Sequence, residues 1–292
     1  MACSGLKHKE IAVLIATRPR PGCLLATSLP SIVAQTRQAD VVVIVADRQP
    51  LSKLDVARMK LLLAGVQLVV LNNKNLQGAA GSWNTGIDYL TRYNPSCFVA
   101  VLDDDDYWDK QHLAKCEQLS ENAQVVVSGI NVVDGNQVRA SNVPEKLSSE
   151  DFLVGNPGWQ GSNTFISLEL LNRAGRFSSG LVSCNDRDLA IRVLDLQPSI
   201  KFTNQATVFW TINHRVDALS AKRSPQKLAG VCQFYSKYRQ RMTYKQKDKF
   251  FNRIEQLFEW TRDEIEAELR TREIETKTSA HLSQIGIDKP QY

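Results

Sequence analysis

Four consecutive carboxylates, Asp103, Asp104, Asp105 and Asp106, follow the apolar run CFVAVL (97–102) and precede Tyr107 and Trp108. Two carboxylates ~5 Å apart at an effective dielectric of ~20 repel by roughly 3 kcal/mol, so such a run needs a cation, a proton or good solvation. A hard divalent ion, Mg2+ or Mn2+, suits oxygen donors and leaves coordination positions for substrate phosphates. The plainer reading is an exposed acidic turn in which Asp106 or Asp109 caps the next helix, and the run alone leaves both open. A second candidate is CNDRDLAIR (184–192). Asn185 suits an N-cap, and Asp188 stands where a capping-box acid would and four residues before Arg192. Asp186 has no such assignment: it is either a general base or an acid favoured by the helix dipole. Asp47 ends an apolar run, His214 follows another, and Trp159 and Gln160 sit in a polar stretch.

These residues must be held by surrounding elements. IAVLIA (11–16), VVVIVA (41–46), VQLVVL (66–71), CFVAVL (97–102) and QVVVSGINVV (124–133) read as strands. Helical patterns at 24–35, with Pro30 as a candidate kink, and at 52–64, 78–93 and 110–119 separate them. Strands that are apolar throughout and alternate with helices imply a mostly parallel sheet covered on both faces. Ligands of such sheets bind beyond the carboxyl ends of the strands, where Asp47 and 103–106 fall. Asp134-Gly135-Asn136 reads as a hairpin turn, 141–162 as loop, 163–168 and 207–212 as strands, 168–174 and 185–196 as helices. From about 222 onward the pattern is helical and charged. Gly78, Gly81 and Gly86 match neither the dinucleotide fingerprint nor the P-loop and imply close helix packing.

The 292 residues are 43% hydrophobic and 23% charged, which excludes a disordered, collagenous or coiled-coil chain. The six cysteines form no CxxC pair and read as mostly buried thiols of a reducing compartment. No run reaches the length of a membrane span, and the first ten residues lack the apolar core of a secretion signal; the expected location is cytoplasmic, with a peripheral membrane contact left open. The net charge of +5 is unevenly spread: between Arg215 and Arg253 eleven basic residues face only Asp217 and Asp248, a local +9 against −4 elsewhere. That segment also carries Phe234, Tyr235, Tyr238 and Tyr244. It is either a solvated helical face, a contact for an anionic membrane surface, or a contact for nucleic acid.

In order, the segments resemble family 2 glycosyltransferases of the GT-A fold. The carriers are the opening strand, loop and helix IATRPRPGCLLATSLPSIVAQT, then VVVIVADRQP with its terminal acid, and GAAGSWNTGI, with Trp83 where the family has Arg. They continue with VLDDDDYWDKQHL, GSNTFISLELLNRAGRF, CNDRDLAIRVL, with Asn185 for an acid, and INHRVDALS. The resemblance covers roughly residues 10–220.

It implies an α/β, Rossmann-like, mostly parallel sheet with helices on both faces and a helical C-terminal extension. The implied domains are 1–220, with a nucleotide-sugar side (1–133) and an acceptor side (134–220), and an extension over 221–292. It implies a nucleoside-diphosphate sugar donor, with uridine diphosphate favoured, held by Thr17, Arg18, Asp47, Asn84, Asp103 and Asp104. Asp103 and Asp105 become the D-x-D pair, with Asp105 the better ligand of Mn2+ or Mg2+, Asp106 in support and His214 completing the metal or diphosphate shell. Asp186 becomes the base that deprotonates an acceptor hydroxyl, with inversion. Trp159, Gln160, Asp188 and Arg192 fall on the acceptor side, Trp159 as a stacking surface for a ring. The implied acceptor is a surface polysaccharide or lipid-linked glycan, and a nucleic-acid base is the alternative. Two rival functions are a sugar nucleotidyltransferase, disfavoured by the missing glycine pattern in ATRPRPGC, and a non-catalytic binding module, disfavoured by the intact acidic run.

Overall fold

In the computed structural model, residues 9–18, 21–135, 137–212 and 221–284 are described. They fall into two compact units, Met1–Leu181 with Asn185–Asn213, and Val182–Cys184 with His214–Tyr292.

The first unit is built on one nine-stranded sheet. Its strands are β1 (Ile11–Thr17), β2 (Val41–Ala46), β3 (Gln67–Asn72), β4 (Phe98–Val101), β5 (Tyr107–Trp108), β6 (Val125–Asp134), β7 (Gln137–Asn142), β8 (Thr164–Ser167) and β9 (Ile200–Thr211). The order is β3-β2-β1-β4-β8-β6-β9-β5, with β7 paired to β6. Strands β1 to β4, β6 and β9 run one way, while β5, β7 and β8 run against them. The sheet is therefore mostly parallel. Its order reverses between β1 and β4, the place where ligands of open α/β sheets bind. In register, Thr17 lies beside Ala46, so β1 and β2 end level, whereas β4 ends at Val101 beside Leu14 and the residues after it run on until Asp104 reaches Thr17.

Strand alternation explains why both faces are covered. Ile11, Val13 and Ile15 of β1, with Val42 and Ile44 of β2, pack on one face against Leu24, Leu29, Ile32, Met59 and Leu63. On that face lie α1 (Pro21–Cys23), a π-helical turn (Leu24–Ser28), α2 (Leu29–Val33) and α3 (Lys53–Leu62). The expected single helix over 24–35 is thus interrupted: Pro30 at the start of α2 has no N–H to donate, and a π turn precedes it. The opposite face of the sheet carries α4 (Ala79–Tyr93). At Gly86 an added Cβ would lie 2.3 Å from Leu14 Cδ1, and at Gly81 it would lie 1.8 Å from the Leu76 carbonyl oxygen. Both glycines serve close packing, as expected. The remaining helices of this unit are α5 (His112–Ser120), α6 (Ser149–Val154), α7 (Leu168–Arg173) and α8 (Asn185–Leu194).

Residues 141–162 are not loop throughout. β7 reaches Asn142, and α6 forms behind Ser148, whose hydroxyl accepts from Asp151 N. The local cap overrides a polar composition. Asp134 pairs with Gln137, so the hairpin forms where the turn residues place it.

In the second unit, α9 (Pro225–Tyr238), α10 (Tyr244–Phe258) and α11 (Arg262–Gln284) bury Phe234, Phe250, Phe251, Ile254, Ile265 and Leu269. Much of the basic charge is spent here on ion pairs: Lys222 with Glu259, Arg223 with Glu264 and Arg239 with Glu273. The acidic stretch after Glu255 packs through Ile265 and Leu269. Among the described residues no helix is long and apolar enough to cross a membrane. Cys97, Cys116, Cys184 and Cys232 are buried free thiols, while Cys23 is exposed.

Candidate active site

The carboxyl ends of β1, β2, β3 and β4 bring Thr17, Asp47, Asn73 and residues 103–106 to one edge of the sheet. Asp47 continues the β1–β2 ladder through its N–H to the Thr17 carbonyl, 2.8 Å. Its carboxylate accepts from Asn73 Nδ2 (2.9 Å) and from the Gly78 N–H (3.1 Å) at the entry to α4. Around it lies a cleft of about 280 Å³ lined by Asp47, Arg48, Gln49, Asn73, Asn75 and Gln77, among others. Its amide-rich wall suits a polar planar ligand. Asn73, Asn75 and Gln77 were not singled out by sequence; the one signal was their place just past a strand end.

At the β1–β4 switch point, Thr17 Oγ1 lies 2.6 Å from Asp104 Oδ2. Arg18 is half-buried at the same strand end. The acidic turn itself is half built into the interior: Asp104 and Asp106 are buried, Asp103 and Asp105 half-buried. Asp106 is 1% exposed and accepts from Ser162 Oγ (2.6 Å) and Thr211 N (2.9 Å). Burial, then the neighbouring Asp105 charge, pushes its carboxyl up to about 7, against the pull of those two hydrogen bonds. Asp106 is therefore a buried tie between the turn and the end of β9, not a helix cap. Asp103 is raised well above the ordinary carboxylate range by burial and by the charges of Asp106, Asp105, Asp104 and Asp186. Its backbone N–H donates to Ser162 Oγ (3.1 Å). Gly161 passes so close that a Cβ there would sit 3.2 Å from both Asp103 carboxylate oxygens.

Asp186 stands half-buried in the first turn of α8. Its Oδ2 accepts from Asn156 Nδ2 at 3.0 Å, and its charge reaches Asp103. The structure thus brings Thr17, Asp47, 103–106 and Asp186 to the carboxyl edge of the sheet. Rich in carboxylate oxygens and crowded with like charge, the turn carries the donor type that a hard divalent cation takes. Among the described residues no group of three or more His, Cys, Asp or Glu side chains is arranged to hold a metal ion. His214 lies outside the described residues.

Several expected site residues have structural duties instead. Trp159 is 2% exposed, packs edge-on to Phe152 and donates Nε1–H to Thr164 Oγ1 (2.8 Å), so it offers no face to a sugar ring. Asn84 donates to the Phe177 carbonyl and to Ser179 Oγ and accepts from Phe177 N, which commits its amide to the 177–179 segment rather than to a donor. Asp188 is fully buried, bonded to Ser178 Oγ and paired with Arg192 at 2.7 Å, and Arg192 also reaches the Ala174 carbonyl. That pair is a packing element beneath α8, not an acceptor contact. Gln160 is half-buried, its N–H held by Asn163 Oδ1. Asn185 opens α8 from within; its buried Oδ1 has no partner among the described residues, so it caps nothing. Trp83 is buried against Phe177, with ring centroids 4.5 Å apart.

Solved structures of Staphylococcus aureus TarS resemble this chain in fold. TarS 1–349 in complex with UDP-GlcNAc has a TM-score of 0.62 at 17% identity, covering 87% of this chain and 74% of that one. TarS 1–349 in complex with UDP has a TM-score of 0.59 at 15% identity, covering 87% and 73%. TarS itself gives 0.57 at 16%, covering 87% of this chain and 44% of that one. No curated protein sequence matches. The model of the family described as Glycosyl transferase family 2 matches residues 12–177, more than half of the chain. The match runs along the strands that carry the acidic edge, and the chain belongs to glycosyltransferase family 2.

Proposed function

We propose that this chain transfers a sugar from a nucleoside-diphosphate donor, with UDP favoured, to an acceptor hydroxyl with inversion at the anomeric carbon. The observation that carries the reading is the convergence of Asp47, the acidic turn and Asp186 on the carboxyl edge at the β1–β4 switch point. The UDP-GlcNAc and UDP held by the TarS structures agree with it. The amide-lined cleft beside Asp47 takes the base and ribose. Thr17 and Asp104, already bonded to one another, form the floor on which the ribose and diphosphate lie.

Asp186 accepts the proton of the acceptor hydroxyl. The oxygen's electron pair forms the new bond to the anomeric carbon as the bond to the β-phosphate oxygen breaks. That pair leaves with the nucleoside diphosphate, and the proton on Asp186 passes to water. One in-line displacement inverts the configuration. Asp103 and Asp105 would hold a divalent ion, which would supply neutralisation of the charge on the leaving diphosphate. The acceptor we infer is a surface polysaccharide or lipid-linked glycan. On α10, Lys245, Lys249 and Arg253 recur every four residues and are exposed, which favours a polyanionic partner, a membrane surface or a nucleic acid, for the second unit.

Asp105→Ala tests the reading directly. Release of UDP from UDP-sugars in the presence of Mn2+ should fall by roughly two to four orders of magnitude. Undiminished turnover would remove Asp105 and the ion from the account.

A further inference from the structure

We propose that Asn156, outside every motif of the acidic edge, is a positioning residue that aims Asp186, and that loop 156–163 fixes the spacing between the base and the donor-anchoring turn. The inference rests on Asp186 being the base. Asn156 Oδ1 accepts from the N–H of Gly158 and of Trp159, both at 2.9 Å. This fixes the orientation of the amide, since flipping it would set NH2 against two N–H donors. Nδ2 is left to donate twice, to the Trp159 carbonyl at 2.7 Å and to Asp186 Oδ2 at 3.0 Å. An Asn that only closed a turn would need Oδ1 alone. Here the second hydrogen is directed at one oxygen of the carboxylate, holding its plane and leaving Oδ1 for the incoming hydroxyl.

The far end of the same loop holds the acidic turn. Ser162 accepts from Asp103 N and donates to Asp106 Oδ2. Between the two ends the loop is braced. Asn163 bonds the Ser128 and Gly158 carbonyls through Nδ2 and Gln160 N through Oδ1, and buried Trp159 anchors the middle. The seven residues from Asn156 to Ser162 therefore connect the base to the turn that holds the donor. Misplacement by ~1 Å at such a site costs roughly 100-fold.

The test compares the full chain with Asn156→Ala, Asn156→Asp, Asp186→Asn and the double variant Asn156→Ala/Asp186→Asn. The readouts are UDP release from a pool of UDP-sugars with Mn2+ and the Kd of UDP by calorimetry. Asn156→Ala should lower kcat by roughly 10- to 100-fold, leave the Kd of UDP within about twofold, and add nothing in the Asp186→Asn background. Asn156→Asp keeps both acceptor bonds of the turn but repels the carboxylate, and should lower kcat at least as far. Equal losses in both backgrounds together with weaker UDP binding would reveal a merely structural role and overturn the inference; so would an unchanged kcat in Asn156→Ala. Wild-type turnover in Asp186→Asn alone would overturn the base assignment, and this inference with it. A crystal structure of Asn156→Ala adds a readout free of turnover. Asp186 should leave its place while Ser162 keeps its bond to Asp106, and an unmoved Asp186 would overturn the inference.

Discussion

Asp103 shows how a residue's neighbours decide its use. Its carboxylate is crowded by three adjacent acids and by Asp186, and on its remaining side it meets the backbone of Gly161. A methyl group at 161 would stand 3.2 Å from both oxygens, closer than ordinary van der Waals contact, and would push the carboxylate away from the donor. Gly161→Ala should therefore weaken UDP binding by roughly 5- to 30-fold, about 1–2 kcal/mol, with the melting temperature little changed. Calorimetry with UDP checks it; unchanged affinity would show that Asp103 does not touch the donor. The acid run was legible in the sequence as four letters. Its burial was not, because burial comes from Ser162, Thr211 and Gly161, which lie far along the chain. Likewise, Asn156 is invisible to motif reading, because its value lies in bonds to residues two, three and thirty positions away.

At the scale of elements, α5 is pinned by a buried histidine. His112 Nδ1 lies 2.7 Å from Thr207 Oγ1 of β9, and the ring stacks on Trp108 of β5 at 4.5 Å. Burial, then the charge of Lys115, pushes its pKa down to about 3, so the folded chain holds it neutral. The unfolded chain takes up a proton near pH 6.5, and between pH 6.5 and about 3 it binds more protons than the folded one. Stability therefore rises with pH across that window and is lost as pH falls through it. Between pH 7 and pH 5 the loss attributable to this group is about 2 kcal/mol. Urea unfolding at the two pH values should show that His112→Gln, less stable at pH 7, loses correspondingly less on acidification; an equal loss would contradict the assignment. Elements made of uninterrupted apolar runs, β1, β2, β3 and β4, were readable from those runs: β1, β2 and β4 are buried almost throughout, and β3, half-buried at the edge of the sheet, keeps an apolar run over 68–71. The two-residue β5 and the six-residue α6 were not. β5 exists only by pairing with β9, and α6 depends on one serine cap within a polar stretch.

For the whole molecule, the division into two units does not follow chain order. Val182–Cys184 belongs with the C-terminal helices. Val182 N donates to Gln233 Oε1 at 3.0 Å. At Gly230 on α9 a Cβ would lie 2.1 Å from Ser183 Oγ and 2.5 Å from its backbone nitrogen. Gly230→Ala must displace that segment, at a cost of about 1–3 kcal/mol. A thermal melt should show a lower Tm, and an unchanged Tm would mean that the three residues are not seated on α9. A helical, charged C-terminal region was legible from composition, but the pairing of its basic face with its own acidic tail was not, since it joins residues some forty positions apart.

The central claim is that the acidic edge carries out sugar transfer with Asp186 as the base. The direct measurement is Asp186→Asn, a change of one atom that keeps the shape of the side chain. Donor binding by calorimetry and turnover by release of nucleoside diphosphate are read on the same preparation. The account predicts an unchanged donor Kd with kcat lower by roughly 100- to 10,000-fold. A kcat equal to that of the unaltered chain would contradict it.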